Sequence, residues 1–158
     1  MTVHAGVDIS RAQCDVALFP PSQFQSFPNT QAGVQKLLAW LRQHDVGLVC
    51  VEATGGFERT LVDVLQEAAL PVAVVNPRQV RDFARAKGQL AKTDRIDAHI
   101  LAEFAAKMNP APSAKTSENQ AQIDALTTRR RQLIDLLTQE RNRLSTTRNP
   151  YCLLYTSP

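Results

Sequence analysis

Two runs, Val46–Val51 and Pro71–Val75, are apolar almost without alternation. A strand with one wet face alternates apolar and polar residues, whereas a strand apolar throughout needs cover on both faces. The two runs therefore call for a sheet with helices on either side. Glu52 stands at the end of the first and Asn76-Pro77 closes the second. Proline suits the first turn of a helix, so a helix is expected to start at once.

The rest of the chain supplies partners for these strands. Val3–Asp8 reads as a central strand with Asp8 near its C-terminal end. Cys14–Phe19 and the brief Gln23–Phe27 complete an antiparallel meander, because the turns between them are short. Asn29-Thr30 offers a helix N-cap, and Val34, Leu37, Leu38 and Leu41 follow at helical spacing, with Trp40 beside them. A second helix is expected from Phe57 to Ala69, and a basic one from Arg78 to Lys87, stopped by Gly88. A further helix carries Ile96, Ile100, Leu101 and Phe104 and ends near Lys107. A meander followed by helix, strand, helix, strand and helix is an α/β arrangement with a mixed five-stranded sheet flanked by helices. Right-handed crossovers set the fourth strand beside the first.

A chain of 158 residues is long enough for such a domain and a helical appendage. Asn109–Ser113 marks the boundary, giving a domain over residues 1–108 and a linker over 109–115. Residues 116–148 read as one long basic helix. Ile123, Leu126, Leu133, Leu137 and Leu144 fall near a seven-residue repeat, interrupted at Arg130 and Glu140. That is a coiled-coil-like seam or a solvated charged helix. Cys14, Cys50 and Cys152 are too scattered for a disulfide framework or a zinc site, which fits a reducing cytosol. The net charge of +3 suggests a polyanionic partner only weakly. No basic start precedes a long apolar run, and no apolar stretch approaches the roughly 20 residues of a membrane span. A cytoplasmic protein without a membrane partner is expected.

The chemistry is expected where acids collect. Asp94 and Asp97 lie three apart at the start of a helical period, with Thr93 as N-cap. Residues three apart share a helix face, with Cβ atoms roughly 5–6 Å apart. Taken alone, acids in a first turn are ordinary company for the helix dipole. Asp8 and Glu52, however, end adjacent parallel strands, where open α/β sheets bind ligands. If the helix packs over that edge, Asp8, Glu52, Asp94 and Asp97 converge, and a buried quartet of anions requires a cation. Oxygen donors favour Mg²⁺ or Mn²⁺. A pair of such ions about 3.5–4 Å apart clamps both oxygens of a phosphoryl transfer. Lys92 and Arg95 flank the pair, either to hold phosphates or to balance charge locally. Gly55-Gly56 either admits the backbone close to the site or simply makes the turn. His4, His44 and His99 show no metal spacing among themselves.

Gly6-Val7-Asp8-Ile9-Ser10, Asp15-Val16-Ala17, Glu52-Ala53-Thr54-Gly55, Asn76-Pro77 and Lys92–Ala98, in this order, resemble the N-terminal domain of the DEDD transposases. These are bridge-RNA-guided recombinases of a large bacterial insertion-sequence group. The resemblance runs from about Val3 to Arg148. It implies a ribonuclease-H-like fold of the RuvC type, with Asp8, Glu52, Asp94 and Asp97 as catalytic metal ligands. It also implies DNA as substrate, a structured guide RNA, a homo-oligomer and a place near the bacterial nucleoid. Arg11 stands where the family commonly has lysine, and the charge is kept. Family members continue into a second domain with a serine nucleophile. Residues 149–158 instead resemble a translated sequencing-adapter junction, so a truncated reading frame with a non-native tail is expected and Ser157 is not assigned as nucleophile.

The expected function is the metal-binding half of a DNA transposase, inactive alone. The long helix is the candidate for subunit pairing, and Arg129, Arg130 and Arg131, with Lys92 and Arg95, for nucleic-acid contact. A junction-resolving nuclease using water and a non-catalytic nucleic-acid-binding module are the alternatives. An actin-like ATPase shares the strand order but needs a second phosphate-binding glycine loop, which is not found.

Overall fold

A computed structural model describes residues 2–89, 93–115 and 118–146. The chain divides into two units, Met1–Lys115 and Thr116–Pro158. The first holds a five-stranded sheet of order β3-β2-β1-β4-β5. Its strands are β1 (Val3–Ile9), β2 (Gln13–Phe19), β3 (Phe24–Pro28), β4 (Val46–Glu52) and β5 (Val72–Val75). β1 pairs antiparallel with β2 and parallel with β4, so the meander is joined to the crossover half through β1.

Alternation along the strands sorts the two faces. Ala5, Val7 and Ile9 of β1, with Val49 and Val51 of β4, pack under α1 (Gln31–Gln43) and α2 (Arg59–Glu67). Leu48 and Cys50 of β4, with Ala73 and Val75 of β5, pack under α3 (Pro77–Ala86) and α4 (Asp94–Met108). This double cover is why β4 and β5 carry no polar alternation. Burial, then the neighbouring carboxylate of Asp15 or Glu52, pushes the Cys14 thiol up to about 11 and the Cys50 thiol up to about 12. Both thiols stay protonated and serve as core filling.

Helix starts follow local chemistry. The Thr30 hydroxyl accepts from the Gly33 amide, the Asn76 side chain from the Arg78 amide, and the Thr93 hydroxyl from the Ile96 amide. Each satisfies an orphan first-turn donor. α2 departs from expectation. It runs from Arg59 to Glu67, not from Phe57 to Ala69. Glu58 spends its carboxylate on the preceding turn, and Ala69 has left the helix with φ 57°. Trp40 is half-buried and packs its ring on Phe27 and His44.

The contact that sets the position of α4 is made by small residues. Ala17 of β2 and Ala98 and Ala102 of α4 form a buried cluster. At Gly6 of β1 a Cβ would run into the Ala102 amide nitrogen, the Ala98 carbonyl and the Leu101 side chain. The helix backbone therefore lies directly on the strand.

The far edge of the sheet is also covered. Ser113, within the segment read as a linker, donates its amide to the Val72 carbonyl at 2.8 Å, and its hydroxyl accepts from Val74 at 2.9 Å. Gln66 of α2 holds the Ser113 carbonyl at 3.0 Å. Those bonds occupy groups that an open edge strand would leave as a template for aggregation.

In the second unit, α5 (Glu118–Thr146) is one continuous helix. Ile123, Leu126, Leu133, Leu137 and Leu144 are exposed along it, as are Arg129, Arg130 and Arg131. The tail over 149–158 lies outside the described residues.

Gly6→Ala is expected to destabilise the fold by about 3 kcal/mol, at the upper end of overpacking costs, because the obstructing atoms are backbone. Urea unfolding followed by circular dichroism checks this, and an unchanged midpoint would mean that α4 does not rest on β1.

Candidate active site

Asp8 is on the α4 face of β1, two residues beyond Gly6, and is half-buried. Val7 of β1 is in register with Val51 of β4, so Asp8 and Glu52 stand one step further along adjacent parallel strands. Asp94 and Asp97 occupy the first turn of α4. All four carboxylates, Asp8, Glu52, Asp94 and Asp97, line one cleft of about 510 Å³. Residues far apart along the chain are thus gathered at the C-terminal end of the central strands. The quartet is less buried than the sequence argument supposed. Asp8, Glu52 and Asp97 are half-buried and Asp94 is exposed, because the cleft opens at the end of the sheet and not within it.

The opposite wall is basic. Pro77, Arg81 and Arg85 of α3 succeed one another at four-residue spacing along one helix face and line the same cleft, with Gln89 beyond them. Val80 and Ala84 lie between and turn into the α3–α4 core. Arg85 is 3.6 Å from Asp82 on its own helix, an exposed pair. The two helices are tied at their far ends. The rings of Phe83 and Phe104 meet edge-on at 5.4 Å. Glu103 of α4 binds Lys87, the C-cap of α3, and Lys107 at 2.7 Å. Partial burial pushes the Glu103 carboxyl up, but hydrogen bonds from both lysines outweigh it and leave its pKa lowered.

Arg95 does not line this cleft. Its guanidinium sits 5.4 Å from the centre of the Phe24 ring on β3, a cation–π contact on the other flank of α4. One residue of helix rotation past Asp94 carries a side chain about 100° round the axis, which moves Arg95 off the acidic face. His99 shares that flank, 6.3 Å from Phe24. Partial burial, then the Arg95 charge, holds its imidazole below the usual value, so it is neutral near pH 7. Lys92 lies outside the described residues.

Asp15 was not singled out as a site residue from the sequence, yet it is opposite Asp8 in the β1–β2 ladder. It is 6 % exposed, the one buried charged side chain among the described residues. Like charges directly opposed across a ladder repel. The Asp15 carboxylate is held towards β3, accepting from the Ser26 hydroxyl and from Gln13 Nε2 at 2.8 Å. Its signal in the sequence was a lone acid in an otherwise apolar strand.

The turn after Glu52 is fastened from within. Gly55 and Gly56 adopt φ 80° and 137°, and a Cβ at Gly55 would meet nothing within 4 Å. The glycines are needed for the turn and not for close approach to the site. One Glu58 oxygen accepts from the Thr54 hydroxyl, the Thr54 amide at 3.2 Å and the Gly56 amide at 2.9 Å.

With this geometry in view, comparison with known proteins is decisive for the family. The family model for the DEDD transposases of the IS110 group, described as a transposase, matches residues 5–150. The chain belongs to this transposase family. Two pilin gene-inverting proteins, from Moraxella bovis and Moraxella lacunata, are each 30% identical to the transposase chain over 146 residues. The match takes in 89% of this chain and 45% of each relative, so the chain spans about half their length. The structure of Thermus thermophilus RuvC matches with a TM-score of 0.50 at 17% identity, over 70% of this chain and 99% of RuvC. At that identity the likeness shows the fold, a RuvC-type, ribonuclease-H-like sheet.

DEDD transposases and RuvC-like nucleases use divalent metal ions as a class, and the donor set of this transposase domain suits them. Among the described residues the cleft offers carboxylate oxygens and neither thiol nor imidazole. That chemistry selects Mg²⁺ or Mn²⁺ over zinc. No three His, Cys, Asp or Glu side chains among the described residues are drawn together as a finished metal-binding group. The fit is thus one of donor type and shared cleft.

Partial burial pushes the Glu58 carboxyl up, but the Thr54 hydroxyl and the amides of Thr54, Gly56 and Glu58 outweigh it and hold the pKa below 4.5. A carboxylate with a depressed folded pKa adds stability above its unfolded value and loses it as pH falls through the folded one. Glu58→Gln is therefore expected to lower stability at pH 7 and to flatten its decline below about pH 4.5. Urea midpoints across pH 3–7 check this, and parallel curves for the two proteins would contradict it.

Proposed function

We propose that this chain is the metal-binding half of a DNA recombinase that cuts and rejoins phosphodiester strands. The observation that carries the reading is the shared cleft of Asp8, Glu52, Asp94 and Asp97. Membership of a transposase family and relatives named for pilin gene inversion support the same direction. Asp8, Glu52, Asp94 and Asp97 would hold Mg²⁺, with Mn²⁺ as a substitute. The bound cation would supply charge stabilisation to the phosphoryl oxygens. The protein's own part is placement. Gly6 and the alanines of α4 fix the helical pair over the strand ends. The Glu58-fastened turn holds the backbone that follows Glu52.

The finer reading follows the family resemblance. A serine in a second domain attacks the phosphorus, a structured RNA guides target choice, and copies pair through α5. The exposed row of Ile123, Leu126, Leu133, Leu137 and Leu144 supports pairing, since such a row is costly to leave in water. Arg129, Arg130 and Arg131 lie on the same helix and would meet nucleic-acid backbone. No helix among the described residues is long and apolar enough to cross a membrane. Membership of a transposase family leads us to assign the protein to the cytoplasm, beside the nucleoid.

The test is cation binding. Titration of Mn²⁺ by calorimetry into the 158-residue chain is expected to show binding that Asp94→Asn and Asp97→Asn each weaken by at least the roughly 10–100-fold typical of outer-sphere changes. Equal binding by both variants would remove these residues from the site. The same chain is expected not to exchange DNA strands alone. Cation-dependent nicking of branched DNA, lost in Asp94→Asn, would favour a water-using nuclease instead.

A further inference from the structure

We infer that Arg81 and Arg85 form the phosphate-contacting wall of this cleft and seat the DNA backbone against the four acids. The inference rests on the proposed DNA function and adds the residues that hold the substrate. Arg81 and Arg85 are one helical turn apart on α3 and line the cleft that Asp8, Glu52, Asp94 and Asp97 line. A guanidinium that shares a cleft with carboxylates is a ready partner for them. Arg81 is exposed, and its side chain makes no ion pair or hydrogen bond with any described residue. Among the described residues the Arg85 side chain has only the weak, exposed contact at 3.6 Å with Asp82. Both forks are therefore available to a ligand while their helix is fixed by Val80, Phe83 and Ala84 in the core.

The chemistry selects the ligand. A cleft with acids on one wall and arginines on the other suits a polyanion that also takes up cations. A phosphodiester backbone meets both demands, since its oxygens can face the arginines and a cation at once. An acidic peptide would satisfy the arginines and leave the acids repelled. Lys87, the C-cap of the same helix, is withdrawn from this role by Glu103. Arg78 is exposed on α3 but does not line the cleft, which makes it an internal control.

The experiment is fluorescence anisotropy of a short labelled DNA duplex with the 158-residue chain in Ca²⁺ over a range of KCl. Each phosphate contact contributes about 0.9 to the slope of log affinity against log salt, or roughly eightfold in affinity at 0.1 M salt. Arg81→Gln and Arg85→Gln are each expected to weaken binding by about that factor and to reduce the slope by about one. Arg78→Gln is expected to change neither, and unaltered urea midpoints show that each variant is folded. Unchanged slopes in both cleft variants, or no duplex binding by the parent chain, would overturn the inference. Stronger displacement by an RNA hairpin than by unlabelled duplex would overturn the assignment to DNA. Asp97→Asn separates this from the metal reading. Loss of Ca²⁺-dependent binding there, with normal slopes in the arginine variants, keeps the acids and removes the wall. The reverse pattern keeps the wall and removes the acids.

Discussion

The site depends on how closely one helix can lie on one strand. α4 touches β1 where the strand carries Gly6, and it presents Ala98 and Ala102 there. Any larger pair would lift the helix by the thickness of a side chain. The distances from this anchor to the acids match on the two elements. Asp8 is two residues along an extended strand from Gly6, roughly 6.6 Å. Asp94 is four residues along the helix from Ala98, roughly 6 Å. With the helix running back against the strand, both arms end in the same place. Close packing of interiors turns such a contact into a fixed position. The cleft proposed for phosphoryl chemistry is thereby set by residues that have no chemistry of their own.

The second wall is held by its own packing on α4. Phe83 against Phe104, and Lys87 with Lys107 on Glu103, bind α3 to α4 away from the acids. Val80 and Ala84 pack on the same core, and the cleft is lined along this stretch of α3. The arrangement leaves Arg81 and Arg85 exposed on a backbone fixed by apolar contacts.

The fold was legible because its strands are unusually plain. Val46–Val51 and Pro71–Val75 admit few readings other than buried strands, and Thr30, Asn76 and Thr93 each cap the helix their position announces. Asp8, Glu52, Asp94 and Asp97 could be picked out because each sits where a buried element ends. What local pattern does not encode is which way a helix faces. Arg95 neighbours Asp94 in sequence but lies over Phe24, and Arg81 lies within a basic helix whose cleft-facing side is unknown until the sheet is built. Asp15 was hidden for a related reason. Strand register joins it to Asp8 across the meander, and register is a property of the pair of strands. The start of α2 was misjudged because Glu58 reads as an ordinary helix former, while its carboxylate serves three donors of the turn before it.

The two walls also answer an electrostatic difficulty that the acids alone would create. A cleft bearing only carboxylates repels a phosphodiester, and at an effective dielectric near 20 two unit charges 4 Å apart differ by about 4 kcal/mol from the uncharged case. Solvent reduces this here, since Asp94 is exposed and the others half-buried. Screening does not reverse the sign. Arginines lining the same cleft oppose the repulsion. They make the potential change from negative to positive across the gap, so that a backbone can enter along the basic side while its oxygens face the acidic one. The cation affinity proposed for the carboxylates and the anion affinity proposed for α3 would then be complementary demands on one ligand, and neither wall would serve the proposed chemistry without the other.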